Sequence, residues 1–166
     1  FRDGREIFRS PPDQRLEARI EAFFGKAFLD GLVPLEFEEK GIGIKGFAAK
    51  HGFTRSSRFE QRLFVNGRPA GASVLYSGIK QAYSSIIADG RFPPVILFIR
   101  IDPRRVDVNV HPAKKEVRFS DPSLVRAVVE KAIESALKIS PSPTVHVNGG
   151  LSFRQILERS MVDYAP

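Results

Sequence analysis

The residues best placed to do chemistry in this chain lie between Val106 and Phe119, in the string VDVNVHPAKKEVRF. Val106, Val108 and Val110 alternate with Asp107 and Asn109, the period of a strand. The alternation stops at His111-Pro112-Ala113, where a small residue precedes Lys114 and Lys115. Proline fixes one backbone torsion, so such a loop presents a lysine ammonium outward on a rigid base. A cation held in that way can complete a phosphate site on another domain, where it offsets charge that builds on a transferring phosphoryl group. Taken alone, the residues are more simply read as two ordinary surface lysines.

Other chemistry is poorly provided for. The sequence carries no GxxxxGK[ST] loop, no GxGxxG and no His/Glu metal motif, so it is not expected to bind a nucleotide or a catalytic metal by itself. His51, His111 and His146 fall in three different loops, and His111, just before Pro112, is read as shaping its own turn. Asp107 and Glu116 lie on a strand pattern whose alternate positions face solvent, which argues against an acid/base pair. With no cysteine, disulfides, thiolate nucleophiles and sulfur-ligated zinc are all excluded, a composition that fits a reducing cytoplasm.

Charge points to a polyanionic partner. Twenty-six Lys and Arg stand against nineteen Asp and Glu, a formal net charge of +7 and a pI near 10. The excess is uneven: Lys45, Lys50, Arg55, Arg58, Arg62 and Arg68 are opposed by the single acid Glu60. Clustering of one sign predicts a nucleic-acid patch, with Arg55, Arg58, Arg62 and Arg68 as the candidate contacts.

The elements that must position these residues can be read along the chain. Asp3-Gly4 suits a tight hairpin turn, so the chain is expected to begin inside a hairpin cut from a longer protein. Ser10-Pro11-Pro12-Asp13 predicts a helix entrance. Leu16, Ile20, Phe23 and Phe24 follow at helical spacing with a buried face, and Gly25 ends the helix. Residues 33–49 read as an antiparallel hairpin turning at Lys40-Gly41, residues 51–59 as an exposed loop, and Arg62 to Val65 as a strand broken by Asn66-Gly67. Leu75, Ile79, Ala82, Tyr83 and Ile86 predict a helix to near Gly90, and Val95–Ile101 a strand covered on both faces. Strands at Val106–Val110 and Glu116–Phe119 flank the lysine loop, and Ser120-Asp121-Pro122 opens a last helix that ends near Lys138. Ser140-Pro141-Ser142-Pro143 and Asn148-Gly149-Gly150 read as a linker, with a short helix possible over Ser152 to Val162. The 42% hydrophobic content suits one soluble domain plus a tail; no apolar run approaches the roughly 18 to 20 residues of a membrane span, and the start lacks the build of a signal peptide.

Two motifs in order change the weight of these readings. NVHPAKKEVRF, Asn109 to Phe119 and preceded by Asp107, resembles the signature of the MutL family of DNA mismatch-repair ATPases, and FVNGRP, Phe64 to Pro69, resembles a second motif of the same proteins at a similar separation. The resemblance covers residues 1 to about 138, including the Asp3-Gly4 hairpin, the helix ending in Phe24-Gly25 and the helix carrying Lys80-Gln81-Ala82. Gly71-Ala72-Ser73 departs from it, standing where relatives often carry basic residues.

The resemblance implies that residues 1–138 form the second, transducer domain of the ATPase half, with 139–166 a linker or flexible tail. The implied fold is α+β, a split βαβ arrangement similar to ribosomal-protein and gyrase transducer domains, with a left-handed crossover, a mixed sheet and helices mainly on one face. ATP and Mg²⁺ would be bound mainly by a preceding GHKL domain, not by this segment, which alone is expected to have no ATPase. Lys114 would reach the γ-phosphate in that domain, making it both the catalytic and the cofactor-binding candidate, while Lys115 would serve the surface or DNA. Implied partners are DNA bound without sequence preference, the GHKL domain of the same protein, a second copy in a homodimer, and MutS with other repair proteins; the implied setting is the bacterial cytoplasm, at the nucleoid during repair. The alternatives are a stand-alone ribosomal-type nucleic-acid-binding module, a type II topoisomerase transducer, against which FVNGRP and NVHPAK count, and a self-contained enzyme.

Overall fold

The computed structural model describes residues 15–107 and 117–138, which fall into two compact units, 15–30 and 31–138. The Asp3-Gly4 hairpin, the helix entrance at Ser10 and the tail beyond 138 lie outside the described residues.

The first unit holds two short helices, α1 (Leu16–Phe24) and α2 (Lys26–Asp30). Gly25 ends α1 as expected, with φ +86° and its N–H donating to the Glu21 carbonyl at 2.8 Å. The expectation of a broadly buried face is corrected. Of the four apolar residues at helical spacing only Ile20 is buried; Phe23 and Phe24 are 61% and 38% exposed. Phe24 stacks on Phe28 of the five-residue α2 at 4.5 Å.

The second unit is built on β1 (Leu32–Glu39), β2 (Ile42–Ala49), β3 (Gln61–Val65), β4 (Arg68–Pro69), α3 (Ser73–Ala82), β5 (Val95–Ile101), β6 (Val106–Asp107), β7 (Arg118–Phe119) and α4 (Pro122–Lys138). The predicted hairpin is present: Lys40 and Gly41 take φ +52° and +75°, the pair of positive angles a tight two-residue turn needs. Five strands form one sheet in the order β1-β2-β5-β3-β4, with β5 antiparallel to β2 and parallel to β3. The chain thus runs β3, over α3, and back to β5 as direct parallel neighbours in a mixed sheet. β6 and β7 form a separate two-stranded ribbon.

Register assigns the two faces. Leu35, Gly46 and Leu97 share one face, as do Glu39, Ile42 and Ile101; Glu39 accepts from Lys131 of α4 at 2.7 Å, so this is the helix side. Leu75, Ile79 and Ala82 of α3 and Val125, Val128, Val129, Ala132, Ile133 and Ala136 of α4 complete that core. The helices pack closely: a Cβ added at Gly78 would stand 2.9 Å from the Arg126 carbonyl.

Two expectations need correcting here. β5 is not covered on both faces, since Phe98 is half-buried and Arg100 exposed. That face is finished by cross-strand pairs: Phe64 stacks on Phe98 at 4.8 Å, Lys45 meets Glu36 at 3.1 Å and Arg100 meets Glu38 at 3.6 Å. The second correction is to α3, which ends at Ala82, eight residues before Gly90. Tyr83 is the reason. Its hydroxyl is buried and donates to the Ala49 carbonyl at 2.7 Å, tying the chain to the end of β2, and Ile86 and Ile87 bond back to the Tyr83 carbonyl as turns. Burial pushes the phenol well above its ordinary range, more than the bond to Ala49 lowers it, so it stays a neutral donor. α4 starts where expected, with Asp121 Oδ1 accepting from the Leu124 N–H at 2.9 Å.

Candidate functional site

Chemistry-bearing residues gather at opposite ends of the sheet. At the C-terminal end of β5 the chain must leave the sheet and enter the β6–β7 ribbon, and Asn66 fixes that exit. In the tight turn after β3, Asn66 takes φ +47° and its backbone N–H donates to the Ile99 carbonyl at 2.8 Å. Its side chain then behaves as one more strand residue: Nδ2 donates to the Ile101 carbonyl at 2.9 Å and Oδ1 accepts from the Ile101 N–H at 3.0 Å. Asn suits both demands, tolerating the left-handed conformation and mimicking a peptide group. Asn66→Ala leaves two part-buried backbone groups unpaired, with an expected loss of about 1–3 kcal/mol. Denaturant unfolding together with faster amide exchange at Ile101 checks this; an unchanged midpoint and protected amide would contradict it.

The corner beyond Ile101 is equally tied. Asp102 caps the 3-10 turn Pro103–Arg105 by accepting from the Arg104 N–H at 2.9 Å. The Arg104 guanidinium, donating to both carboxylate oxygens at distances down to 2.7 Å, is the main reason the Asp102 carboxyl is held down at about 2, with the Arg104 backbone N–H next. Arg105 donates to the Lys40 carbonyl at 3.0 Å and its own carbonyl accepts from Ser120 at 2.9 Å. Across the ribbon Val106 faces Phe119 and Asp107 faces Arg118, and the Val117 N–H donates to the Gly71 carbonyl at 3.1 Å. The ribbon that leads to and from residues 108–116 is therefore anchored on both arms. Lys114, Lys115, His111 and Glu116 lie outside the described residues.

The four candidate arginines are not gathered on one surface. Arg55 pairs with Glu60 at 2.6 Å, sits 4.5 Å over the Phe53 ring and makes a backbone bridge to Phe92, so the predicted loop 51–59 is partly ordered by its own contacts. Arg62, opposite Ile96, projects from the face away from the helices; Arg68, opposite Val65, belongs to the helix side at the sheet edge. Both are exposed. Arg58 lies over two rings, 5.3 Å from Tyr76 and 5.2 Å from Phe92, in the 3-10 turn before β3.

That last position opens a groove the sequence did not announce. A cavity of about 240 Å³ is lined by Arg58, Tyr76, Lys80, Asp89, Arg91 and Phe92 among others. Lys80 follows Tyr76 by four residues, one helical turn on the same face, a signal visible in sequence. Arg91 comes from beyond α3 and is brought in by the Arg55–Phe92 bridge and its bonds to Thr54 at 3.0 and 3.3 Å, which no local pattern reveals.

The fold is similar to that in a crystal structure of the N-terminal domain of a DNA repair protein, which matches over 75% of this chain and 41% of that one with a TM-score of 0.62 at 22% identity. Residues 20–138 match the family model "DNA mismatch repair protein, C-terminal domain". Among curated relatives, the DNA mismatch repair protein MutL of Phenylobacterium zucineum is 42% identical over 140 residues, 81% of this chain and 22% of that protein. MutL of Opitutus terrae is 40% identical over 136 residues, 82% of this chain and 22% of the relative, and MutL of Caulobacter vibrioides 38% over 139, 81% and 22%. The chain belongs to the MutL family of DNA mismatch repair proteins. It spans about a fifth of the length of these relatives. Among the described residues no helix is long and apolar enough to cross a membrane.

Proposed function

We propose that this chain is the transducer-type segment of a mismatch-repair ATPase, supplying Lys114 to an ATP·Mg²⁺ site held mainly by a preceding GHKL domain of the same protein. ATP state is thereby coupled to pairing of two copies, to DNA binding without sequence preference and to contacts with MutS and other repair proteins, in the bacterial cytoplasm at the nucleoid. The observation that carries the reading is the anchoring of the ribbon. One of the two motifs clamps the end of β5 through Asn66, and the segment after it meets the other motif through the bond from Val117 to Gly71. A cation that assists a transferring phosphate must be held in place before the reaction, because preorganised charge is what lowers the barrier. Two arms fixed to a rigid sheet supply such a base. Bound Mg²⁺ would neutralise phosphate charge, and the part of this chain is limited to one ammonium. DNA contact falls to the basic positions Arg55, Arg58, Arg62, Arg68 and Lys115, of which Arg58, Arg62 and Arg68 are exposed and Arg55 is tied to Glu60.

The test is ATP turnover by the nucleotide-binding domain alone and joined to this chain. Acceleration on joining supports the reading, and equal rates contradict it. A stand-alone nucleic-acid module would instead bind DNA or structured RNA with no effect of joining.

A further inference from the structure

The geometry points to a phosphate-binding groove at the end of the sheet opposite the ribbon, built on Arg58, Lys80 and Arg91. The groove borders Gln61 and Pro93, at the starts of β3 and β5, whereas Asn66 and Ile101 stand at the other ends of the same strands. Seven residues of β5 separate the two ends by about 20 Å. The groove and the roots of the ribbon therefore stand at opposite ends of the same strands.

Three features support this. First, the cations are available. Lys45, Arg55, Arg100, Arg104, Lys131 and Lys138 are each paired with a carboxylate, while Arg58, Lys80 and Arg91 have no carboxylate within 4 Å among the described residues. Three positive charges share a concave surface with one acid, Asp89, and concavity concentrates their field. Second, Arg58 is preorganised. Lying over both Tyr76 and Phe92, its planar guanidinium has little freedom to lose, and its fork of donors matches phosphate oxygens in pairs. Third, Arg91 is fastened by its two bonds to Thr54, which set its position across from α3. Two held guanidinium groups and the Lys80 ammonium suit a phosphate group, whose source is either a nucleic-acid backbone or a free phosphate.

The experiment uses the whole chain and two probes. Fluorescence anisotropy with labelled single-stranded and duplex DNA, over a range of salt, compares the native chain with Lys80→Glu, Arg91→Glu and the triple Arg58→Ala, Lys80→Ala, Arg91→Ala; circular dichroism confirms folding. Loss of each phosphate contact lowers the slope of log affinity against log salt by about 1, so the triple variant should lose about 2 to 3 in slope and at least about tenfold in low-salt affinity. Arg100→Ala and Lys131→Ala, which remove carboxylate-paired cations, should change little. Inorganic phosphate and pyrophosphate are titrated in parallel by amide chemical shifts. Shifts at residues 58–61, 80–84 and 89–93 with unchanged DNA binding in the triple variant assign the groove to free phosphate. Unaltered DNA binding in all three variants together with no phosphate-induced shifts there overturns the proposal. DNA binding that survives the triple variant but fails on changing Arg62 or Arg68, with no phosphate-induced shifts at the groove, retires the groove and leaves the broader DNA-binding reading intact.

Discussion

Gly46→Ala is expected to unfold the sheet-bearing unit or lower its thermal midpoint by about 20 °C or more. Gly46 lies in the middle of β2, opposite Leu35 on one side and Leu97 on the other, at φ +140°. An added Cβ would meet the Ile96 carbonyl oxygen well inside van der Waals contact, with the Ile96 carbonyl carbon at 2.9 Å and the Leu97 Cα at 3.3 Å behind it. Those atoms are backbone, so no rotamer change relieves the overlap; β2 and β5 must separate. The backbone conformation alone costs an L-residue about 1–3 kcal/mol, and parting two central strands beneath α4 adds to it. A total above about 4 kcal/mol approaches the whole stability of many domains. At about 4–8 °C per kcal/mol for a unit of this size, the midpoint falls as stated. Scanning calorimetry checks it, and a shift below about 5 °C would mean that β2 and β5 accommodate the methyl group.

Much of this fold was legible in sequence because local chemistry and tertiary structure agree. Lys40-Gly41 announces its hairpin, Asp121-Pro122 announces α4, and the 3.6-residue period of α4 reports the face it buries. The failures are places where a distant partner decides. Tyr83 looked like one more apolar position in a helix, but its hydroxyl answers to Ala49, 34 residues away, and α3 stops. Phe23 and Phe24 keep helical spacing yet are exposed, because spacing alone does not report which side of a helix is covered. The run from Val95 to Ile101 looked covered on both sides because Arg100 is a single interruption, and only the exposure of Arg100 beside Glu38 shows that one side is partly open.

The functional residues divide in the same way. The lysine loop could be singled out because proline and alternation are local signals, and FVNGRP could be recognised but not explained. Its Asn66 is now seen to extend the pairing of β5 with its own side chain. The groove residue Arg91 carried no signal, since its place depends on the bridge between Arg55 and Phe92. Charge clustering found a basic stretch, but alternation along β3 and the pair with Glu60 distribute its arginines over separate surfaces.

The second large effect is on turnover. In a protein that joins this chain to a preceding nucleotide-binding domain, the arrangement proposed above, Lys114→Ala is expected to lower ATP turnover by about two to four orders of magnitude, the usual consequence of deleting a charge aimed at a developing oxyanion or a transferring phosphoryl group. The loss should appear in kcat and in kcat/KM alike, because the interaction is made chiefly in the transition state. Lys115→Ala, one residue on, should leave turnover near its original value. Asn66→Ala, which loosens one root of the ribbon, should fall between the two.

The most direct measurement is single-turnover ATP hydrolysis at saturating ATP by the native protein and its Lys114→Ala and Lys115→Ala variants. The account predicts a loss of about a hundredfold or more for Lys114→Ala alone. Equal rates for all three would contradict it, making Lys114 an ordinary surface lysine and leaving the anchored ribbon without a catalytic purpose.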